Sequence, residues 1–148
     1  MAVHAENRKA YFDFEILEPF EAGIELFGYE VKAVKAHRIN LEGSYVFPRM
    51  GALWLVGATI APYQVNNTPE GYDQMRERKL LLHKKEIDYL LGKFSTKGLT
   101  ILPMRVYDKG PRIKIQIAVA HKRKLHDKRE RTRERETDRT ISRVMKEI

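Results

Sequence analysis

The sequence predicts a mainly β protein with helices (α+β): an OB-fold-like small antiparallel β-barrel with two to three helices, followed by a basic C-terminal tail. Short apolar stretches of strand length alternate with turn residues. One longer stretch has helical periodicity. From His121 to Thr140 the only aliphatic residue is Leu125, so this stretch cannot build a core. We therefore expect residues 1–120 to form the barrel domain and residues 121–148 to project from it.

The first half of the chain contains four predicted strands and one predicted helix, after a polar lead at residues 1–7. The strands are predicted at residues 12–16, 22–26, 41–47 and 53–60. Pro19 is expected to separate the first two, and residues 48–51 to form a hairpin turn between the last two. Good helix formers at residues 29–36 predict about two helical turns. The run that begins at Leu53 is apolar at every position, which predicts a strand covered on both faces.

The second half contains the clearest helix and the clearest hairpin. Apolar side chains recur at i, i+3, i+4 and i+7, and they belong to Ile87, Leu90, Leu91 and Phe94. Gly98 is expected to end this helix. Residues 99–107 and 112–120 flank the turn sequence DKGP, and the second of them alternates isoleucine with polar residues. This pattern predicts a half-buried antiparallel hairpin, whereas residues 63–79 have no periodicity and predict a loop.

The charge balance points to an anionic partner. The chain has 28 Lys and Arg against 20 Asp and Glu, a net charge of +8. Residues 121–148 contain 11 basic and 6 acidic residues, so the tail contributes +5 of that excess. Such a balance favours nucleic acid or an anionic membrane. No apolar run approaches the roughly 20 residues of a spanning helix, so we expect no membrane partner.

The sequence contains no motif that supports catalysis. There are no cysteines, which excludes disulfides and cysteine-ligated zinc. The five histidines lack metal-ligand spacing, and neither a phosphate-binding loop nor a nucleophile elbow is present. Glu15, Glu18 and Glu21 are interpreted as surface groups. We therefore expect a protein that is not an enzyme and that has no metal or cofactor. The N-terminal residues contain no apolar signal region, which favours the cytoplasm.

Several sequence blocks, in order and over nearly the whole chain, resemble one family. They are residues 7–10 (NRKA), 20–24 (FEAGI), 28–32 (GYEVK), 38–41 (RINL), 43–46 (GSYV), 78–84 (RKLLLHK), 97–100 (KGLT) and 124–129 (KLHDKR). Together they resemble SmpB, the family of tmRNA-binding or SsrA-binding proteins. Any one block is weakly specific, but the set is highly specific.

This resemblance implies an OB-like RNA-binding barrel and a role in ribosome rescue by trans-translation. Members of the family bind the tRNA-like domain of tmRNA and deliver it to stalled bacterial ribosomes. Their C-terminal tail enters the decoding centre and the empty mRNA channel, where it contacts small-subunit rRNA. A cytoplasmic monomer with tmRNA and the ribosome as partners is therefore expected.

The resemblance also implies two sets of binding residues. The candidates for RNA binding are Asn7, Glu21, Lys32, Arg38, Asn40, Arg78, Lys79 and Leu81. The candidates that it implies for the decoding centre and mRNA channel are Lys124, His126, Asp127, Lys128 and Arg129. Val144 and Met145, from the apolar stripe near the C-terminus, are added as candidates for anchoring the tail there. For Leu81 the sequence leaves core packing and RNA contact equally open, and for Lys32 a solvated helix face stays open. Glu30 is expected on the helix surface.

The tail has a charge pattern of its own. In a helix, its opposite charges would meet at i, i+3 and its like charges at i, i+4, so the two sets roughly cancel. Val144 and Met145 belong to a short apolar stripe near the C-terminus. We therefore expect a tail that is helical only under suitable conditions, such as inside an RNA-lined channel.

The chain departs from the family pattern at a few positions, and two alternative functions stay open. Tyr11 and Phe12 stand where the family usually has a basic residue and a histidine. Lys122 stands where the family usually has glycine, so the direction in which the tail leaves the domain is not determined by the sequence.

One alternative function is that of a generic OB-fold binder of single-stranded nucleic acid, with stacking aromatics in a groove. The other is a structural protein of the ribosome.

Overall fold

The computed structural model describes residues 2–124. Its strands are β1 Val3–Glu6, β2 Phe14–Ile24, β3 Ile39–Asn40, β4 Tyr45–Arg49, β5 Ala52–Val56, β6 Thr59–Ile60, β7 Arg78–Leu81, β8 Leu99–Lys109 and β9 Arg112–Lys122. Its helices are α1 Arg8–Asp13, α2 Gly28–Lys35 and α3 Lys84–Phe94, with a 3-10 turn at Val65–Asn67. The predictions for the tail beyond residue 124 lie outside the described residues.

The strands form one large antiparallel sheet and one small one. The seven-stranded sheet has the order β1-β8-β9-β2-β7-β5-β4, and β3 pairs with β6 in the two-stranded sheet. Strand β4 lies against β8, but within residues 2–124 no hydrogen-bonded ladder joins the two ends of the large sheet. The predicted class, a mainly antiparallel β protein with helices, is confirmed, and the sheet is open rather than a closed barrel.

The main core lies on the inner face of the large sheet. Ile115, Ile117 and Val119 of β9 are fully buried there, as their alternation predicts, and Leu90 of α3 joins them. The other face of this strand is covered at one end, because helix α1 lies over it. A second small cluster consists of Ala10, Leu102, Met104, Ala118 and Ala120. The hairpin of β8 and β9 is therefore buried on both faces next to α1.

Strand β2 is continuous, so the prediction that Pro19 separates two short strands is wrong. Residues on both sides of Pro19 pair with β9, with a bulge between Ile16 and Glu18. Strand β7 joins the other side of β2 only at Gly23 and Ile24, so β2 is an edge strand at Pro19. Proline lacks an amide proton but is tolerated at an edge, where no ladder bond is lost.

Two strands of the large sheet, β1 and β7, were missed in the sequence because their pairing partners are distant. The predicted polar lead contains β1, which pairs with β8. The predicted loop at residues 63–79 runs into β7, which pairs with both β2 and β5. Short strands have weak intrinsic preferences, so their neighbours in the sheet decide whether they form.

Glycines with positive φ set several element boundaries. The hairpin turn predicted at 48–51 is confirmed, with its two central residues, Met50 and Gly51, at φ 51° and 73°. Gly57, at φ 86°, divides the strand predicted at 53–60 into β5 and β6. Gly98 does not end α3, which stops at Phe94; it forms the turn before β8.

Glu30 is fully buried, so the prediction that it lies on the helix surface is wrong. Its Oε1 accepts a hydrogen bond of 2.9 Å from the amide of Phe27 and forms an ion pair with the guanidinium of Arg76. Its Oε2 lies 2.6 Å from Nη2 of Arg78 and 3.0 Å from the hydroxyl of Tyr72. The carboxylate is therefore surrounded by donors, which a buried charge requires.

Arg78 is the other half of this pair and is also fully buried. Its Nε donates to Glu30 at 3.1 Å, and its Nη1 donates to the carbonyl of Ala58 at 3.0 Å. Nη2 also donates to the carbonyl of Gln74 at 3.1 Å. The pair thereby joins α2 to β7 and to the loop before β7.

The environment of Glu30 lowers its pKa below the ordinary value of 4.5. Burial alone would raise this pKa, but the Phe27 amide and the guanidiniums of Arg78 and Arg76 outweigh burial. A carboxyl with a lowered pKa stabilises the folded state above its ordinary pKa. That contribution is lost as the pH falls through the lower folded value.

Replacing Arg78 with methionine is expected to lower the free energy of unfolding by about 3–5 kcal/mol, because Glu30 would remain charged and buried without its main partner. Urea unfolding of the full chain at neutral pH measures this change. The exposed pair of Arg49 and Glu77 provides the control. Arg49→Gln is expected to cost less than about 1 kcal/mol. A similarly small loss for Arg78→Met would contradict a structural role for the buried pair.

Candidate nucleic-acid interface

One face of the large sheet points away from the main core, and we call it the outer face. Residues directly opposite each other on paired strands share a face, and every second residue along a strand does so too. The cross-strand rows of the outer face are Phe47–Trp54–Lys79, Leu81–Gly23–Lys114–Tyr107 and Glu21–Gln116–Arg105. Glu21, Lys79 and Leu81, which the sequence predicts as RNA-binding residues, therefore lie together on one surface.

Leu81 is exposed, and its neighbour Leu80 is the core residue. Leu80 has 1% of its surface accessible, whereas Leu81 has 49%. The sequence left core packing and RNA contact equally open for Leu81, and its exposure in the structure rules out core packing. Gly23 leaves space beside it, because a Cβ on Gly23 would lie 3.2 Å from the Cβ of Leu81. The two residues line a groove of about 430 Å³ together with Val31 and Lys114.

The carboxylate of Glu21 is fixed by two donors from the strand beyond β9. The hydroxyl of Tyr107 donates to its Oε2, and Nζ of Lys109 lies 2.8 Å from its Oε1. Lys109 and Tyr107 lower the pKa of Glu21 below its ordinary value. Burial and the Glu21 charge raise the pKa of Tyr107 to about 12, so its hydroxyl stays a donor. Glu21 is therefore a charged acceptor in a defined position.

Three predicted residues, on α2, just before β3 and in β3, lie outside the rows of the outer face. Lys32, Arg38 and Asn40 are all exposed. The guanidinium of Arg38 donates to the carbonyl of Pro62 at 3.1 Å, and the side-chain oxygen of Asn40 accepts from the amide of Glu42 at 2.9 Å. None of the three belongs to the cross-strand rows that contain Glu21 and Leu81.

Asn7 and Arg78 are buried, so neither presents a side chain to an RNA in this structure. Asn7 is 3% exposed and caps α1: its Oδ1 accepts from the amide of Ala10, and its Nδ2 donates to the carbonyl of Pro103 at 2.9 Å. Arg78 has no accessible surface, because Glu30 occupies its guanidinium. Both side chains make structural contacts inside the domain, and RNA contact at these two positions stays a prediction.

The end of the described chain lies beside α1. Strand β9 continues to Lys122, which pairs with Phe14. The amide and the Nε of Arg123 then donate to the carbonyls of Asp13 and Phe14 at 2.9 and 3.2 Å. Lys122, which stands where the family usually has glycine, is thus the last residue of a strand. Lys124 follows it and is exposed.

The other tail candidates lie outside the described residues. They are His126, Asp127, Lys128, Arg129, Val144 and Met145. Of the two aromatic departures near the N-terminus, Tyr11 is exposed and Phe12 is partly buried on α1.

Residues 2–124 contain neither a candidate metal cluster nor a candidate membrane-spanning helix. This part of the chain contains no cluster of three or more potential metal-binding His, Asp or Glu side chains. It also contains no helix that is long and apolar enough to cross a membrane.

Comparison with known proteins identifies the family. The family model described as SmpB protein matches residues 4–147. The chain belongs to the SmpB family. The resemblance that the sequence blocks indicate is thereby confirmed.

Relatives of this SmpB-family chain match it over nearly its whole length. It is 47% identical over 141 residues to the SsrA-binding protein of Gloeothece citriformis, covering 95% of this chain and 91% of that protein. It is 43% identical over 145 residues to the SsrA-binding protein of Thermosynechococcus vestitus, covering 98% and 95%. A similar solved structure is described as "tmRNA-SmpB: a journey to the center of the bacterial ribosome". It has a TM-score of 0.69 and 41% identity, over 84% of this chain and 87% of that one.

The structure adds residues to the outer face that the sequence did not single out in this SmpB-family chain. Tyr107 and Lys109 fix Glu21, although they follow it by more than eighty residues. Phe47 and Trp54 continue the same face, and Trp54 is half-buried rather than covered, contrary to the prediction for its strand. Residues 45, 47 and 49 alternate with more buried residues along β4. This alternation could have indicated which side chains of β5 share their face only if the register of β4 with β5 had been known.

Lys109→Ala is expected to raise the pKa of Glu21 toward its ordinary value of 4.5, because Lys109 has the largest effect among the groups that lower it. Tyr107→Phe should raise it less. A carbon-13 NMR titration of the Glu21 carboxyl measures both changes. Lys97→Ala, which removes an exposed lysine in the turn before β8, is the control and should leave the titration unchanged. An unchanged titration in Lys109→Ala would contradict the contact.

Proposed function

We propose that this SmpB-family protein binds the tRNA-like domain of tmRNA and delivers it to stalled ribosomes in the bacterial cytoplasm. The observation on which the proposal mainly rests is the joint exposure of Glu21 and Leu81 on the outer face. Both are positions that the family resemblance assigns to RNA contact. The names of the relatives, which are SsrA-binding proteins, support the same partner.

The chemistry of the outer face fits a folded RNA. The fixed carboxylate of Glu21 can accept hydrogen bonds from 2′-hydroxyls or base edges, which folded RNA exposes in its shallow groove and loops. Lys79 and Lys114 stand on the same face and can neutralise phosphates. Leu81 offers an apolar contact beside the groove next to Gly23. These are the contacts of a binding protein, and they need no catalytic group.

The tail has a different part in the proposal. Residues 125–148 retain 8 basic and 6 acidic residues, and we assign them to the decoding centre and the empty mRNA channel. Lys124 leaves the domain beside α1, whereas Glu21 and Leu81 lie on β2 and β7. The two contacts therefore start from different elements, so one protein can bind tmRNA and the ribosome together.

A generic binder of single-stranded nucleic acid is the second candidate. The observation that favours it is the exposed ring of Phe47, which is 53% accessible on the outer face. Exposed aromatic rings allow stacking with little sequence preference. Competition between the tRNA-like domain and an unstructured oligonucleotide separates the two candidates, because only the generic binder would bind both with similar affinity.

Leu81→Ala is expected to weaken binding of the tRNA-like domain by about fivefold or more, because it removes an apolar contact at the centre of the proposed interface. The free energy of unfolding should change little, since the side chain is exposed. Filter binding at a fixed salt concentration measures the affinity. Leu17→Ala is the matched control, because Leu17 is a leucine on β2 with 45% exposure. Equal affinities of the two variants would contradict the assignment of Leu81.

Deletion of residues 125–148 is expected to leave tmRNA affinity within about threefold of wild type, a change below about 1 kcal/mol, but to abolish tagging of stalled nascent chains. The cut belongs after Lys124, because β9 continues to Lys122 and Arg123 is hydrogen-bonded to the domain. Reconstituted translation on a message without a stop codon measures tagging. Loss of tmRNA binding on deletion would contradict the separate roles of domain and tail. Stoichiometric ribosome binding without tmRNA would favour a structural protein of the ribosome.

A further inference from the structure

The outer face contains an aromatic and cationic row next to the proposed RNA contacts. Phe47, Trp54 and Lys79 are directly opposite one another on β4, β5 and β7. Phe47 is 53% accessible, and its ring forms no aromatic or cation–π contact with another residue in the described part of the chain. A large apolar ring that points away from the core and has no ring partner can receive another planar group.

Trp54 is more firmly held than Phe47. Its indole N–H donates to the carbonyl of Arg49 at 3.1 Å, and the guanidinium of Arg49 lies 4.6 Å from the ring centre. Arg49 also pairs with Glu77, which balances its charge. Trp54 is therefore half-buried and rigidly held, with Arg49 over its ring. Because Arg49 is already paired with Glu77, it is not an unpaired cation for this row.

The cation of this row is Lys79. It stands beside Trp54 in the register, and it forms no ion pair with any of residues 2–124. An exposed ring two strands away from an unpaired lysine matches a nucleotide, whose base stacks on the ring while its phosphate meets the ammonium. A protein partner would need an acidic group and an apolar cap at the same spacing.

The row is continuous with the residues assigned to RNA binding. Lys79 and Leu81 are two residues apart on β7, about 7 Å along the strand. Leu81 is in turn directly opposite Gly23 on β2, and Glu21 is two residues further along β2, again about 7 Å. One RNA segment can therefore contact both regions of the outer face.

We propose that Phe47, Trp54 and Lys79 form a stacking subsite for an unpaired nucleotide of the RNA that Glu21 and Leu81 bind. The inference rests on the proposed function, because it takes the RNA as the ligand of the outer face. The base stacks on Phe47 beside the Trp54 platform, and Lys79 neutralises an adjacent phosphate. The subsite is specific for an unstacked base, since a base inside a helix cannot present its flat surface to a ring.

The fluorescence of Trp54 tests this inference directly, because it is the only tryptophan of the chain. Titration of the full chain with the tRNA-like domain should quench the Trp54 emission, with the same midpoint as filter binding. Complete binding by filter assay without a change in emission would overturn the subsite and leave the proposed function standing. Absence of any binding by the wild-type chain would overturn both.

Variants of Phe47 separate stacking from simple apolar contact. Phe47→Ala and Phe47→Leu are each expected to weaken RNA binding about tenfold, whereas Phe47→Tyr should bind like wild type, since it keeps a ring. Leu17→Ala is the control for loss of an exposed apolar side chain. Urea unfolding should give similar stabilities for all four variants. Wild-type affinity in Phe47→Leu would overturn stacking.

A contact with the ribosome instead of tmRNA predicts a different pattern. If Phe47→Ala weakened only sedimentation with ribosomes that carry no tmRNA, and left the affinity for the RNA unchanged, the row would be a ribosome contact and the inference would be wrong. Lys79→Gln should lower the slope of log affinity against log salt by about one, as expected for one lost phosphate contact. An unchanged slope would overturn the role of Lys79.

Discussion

The buried ion pair between Glu30 and Arg78 is the interaction on which the arrangement of the outer face depends. Both side chains are wholly inaccessible, and the pair joins α2 to β7. Strand β7 is only four residues long, yet it links β2 to β5 in the large sheet. A short strand gains few ladder bonds of its own, so a charged anchor that cannot leave the core fixes its position.

The binding surface follows from that anchor through the period of the strand. Side chains alternate across a sheet, so an inward Arg78 and Leu80 place Lys79 and Leu81 on the outer face. A shift of one residue would exchange the two sets and bury a lysine. Burial of Arg78 and exposure of Leu81 therefore follow from the same strand register. The sequence, in contrast, presents both residues as candidates for RNA contact.

The opposite end of the surface depends on contacts between distant strands. Tyr107 and Lys109 reach Glu21 because β9 lies between β8 and β2. The hairpin of β8 and β9 could be predicted from its turn sequence and alternation, but its pairing with β2 could not. The contacts of Asn7 could not be predicted from the sequence either. Its place in a family motif suggested a ligand contact. In the structure its side-chain amide caps the start of α1 and donates to the carbonyl of Pro103.

The sequence by itself determined the family, the mainly antiparallel class, helices α2 and α3, and the hairpin of β8 and β9. These depend on local periodicity, on turn chemistry or on motifs read in order. Only the tertiary structure decided that β2 runs through Pro19, that Glu30 and Arg78 are core residues, and that Phe47 and Trp54 continue the face of Glu21 and Leu81. Each of these depends on which strands become neighbours, and burial of apolar surface across the whole sheet selects those neighbours.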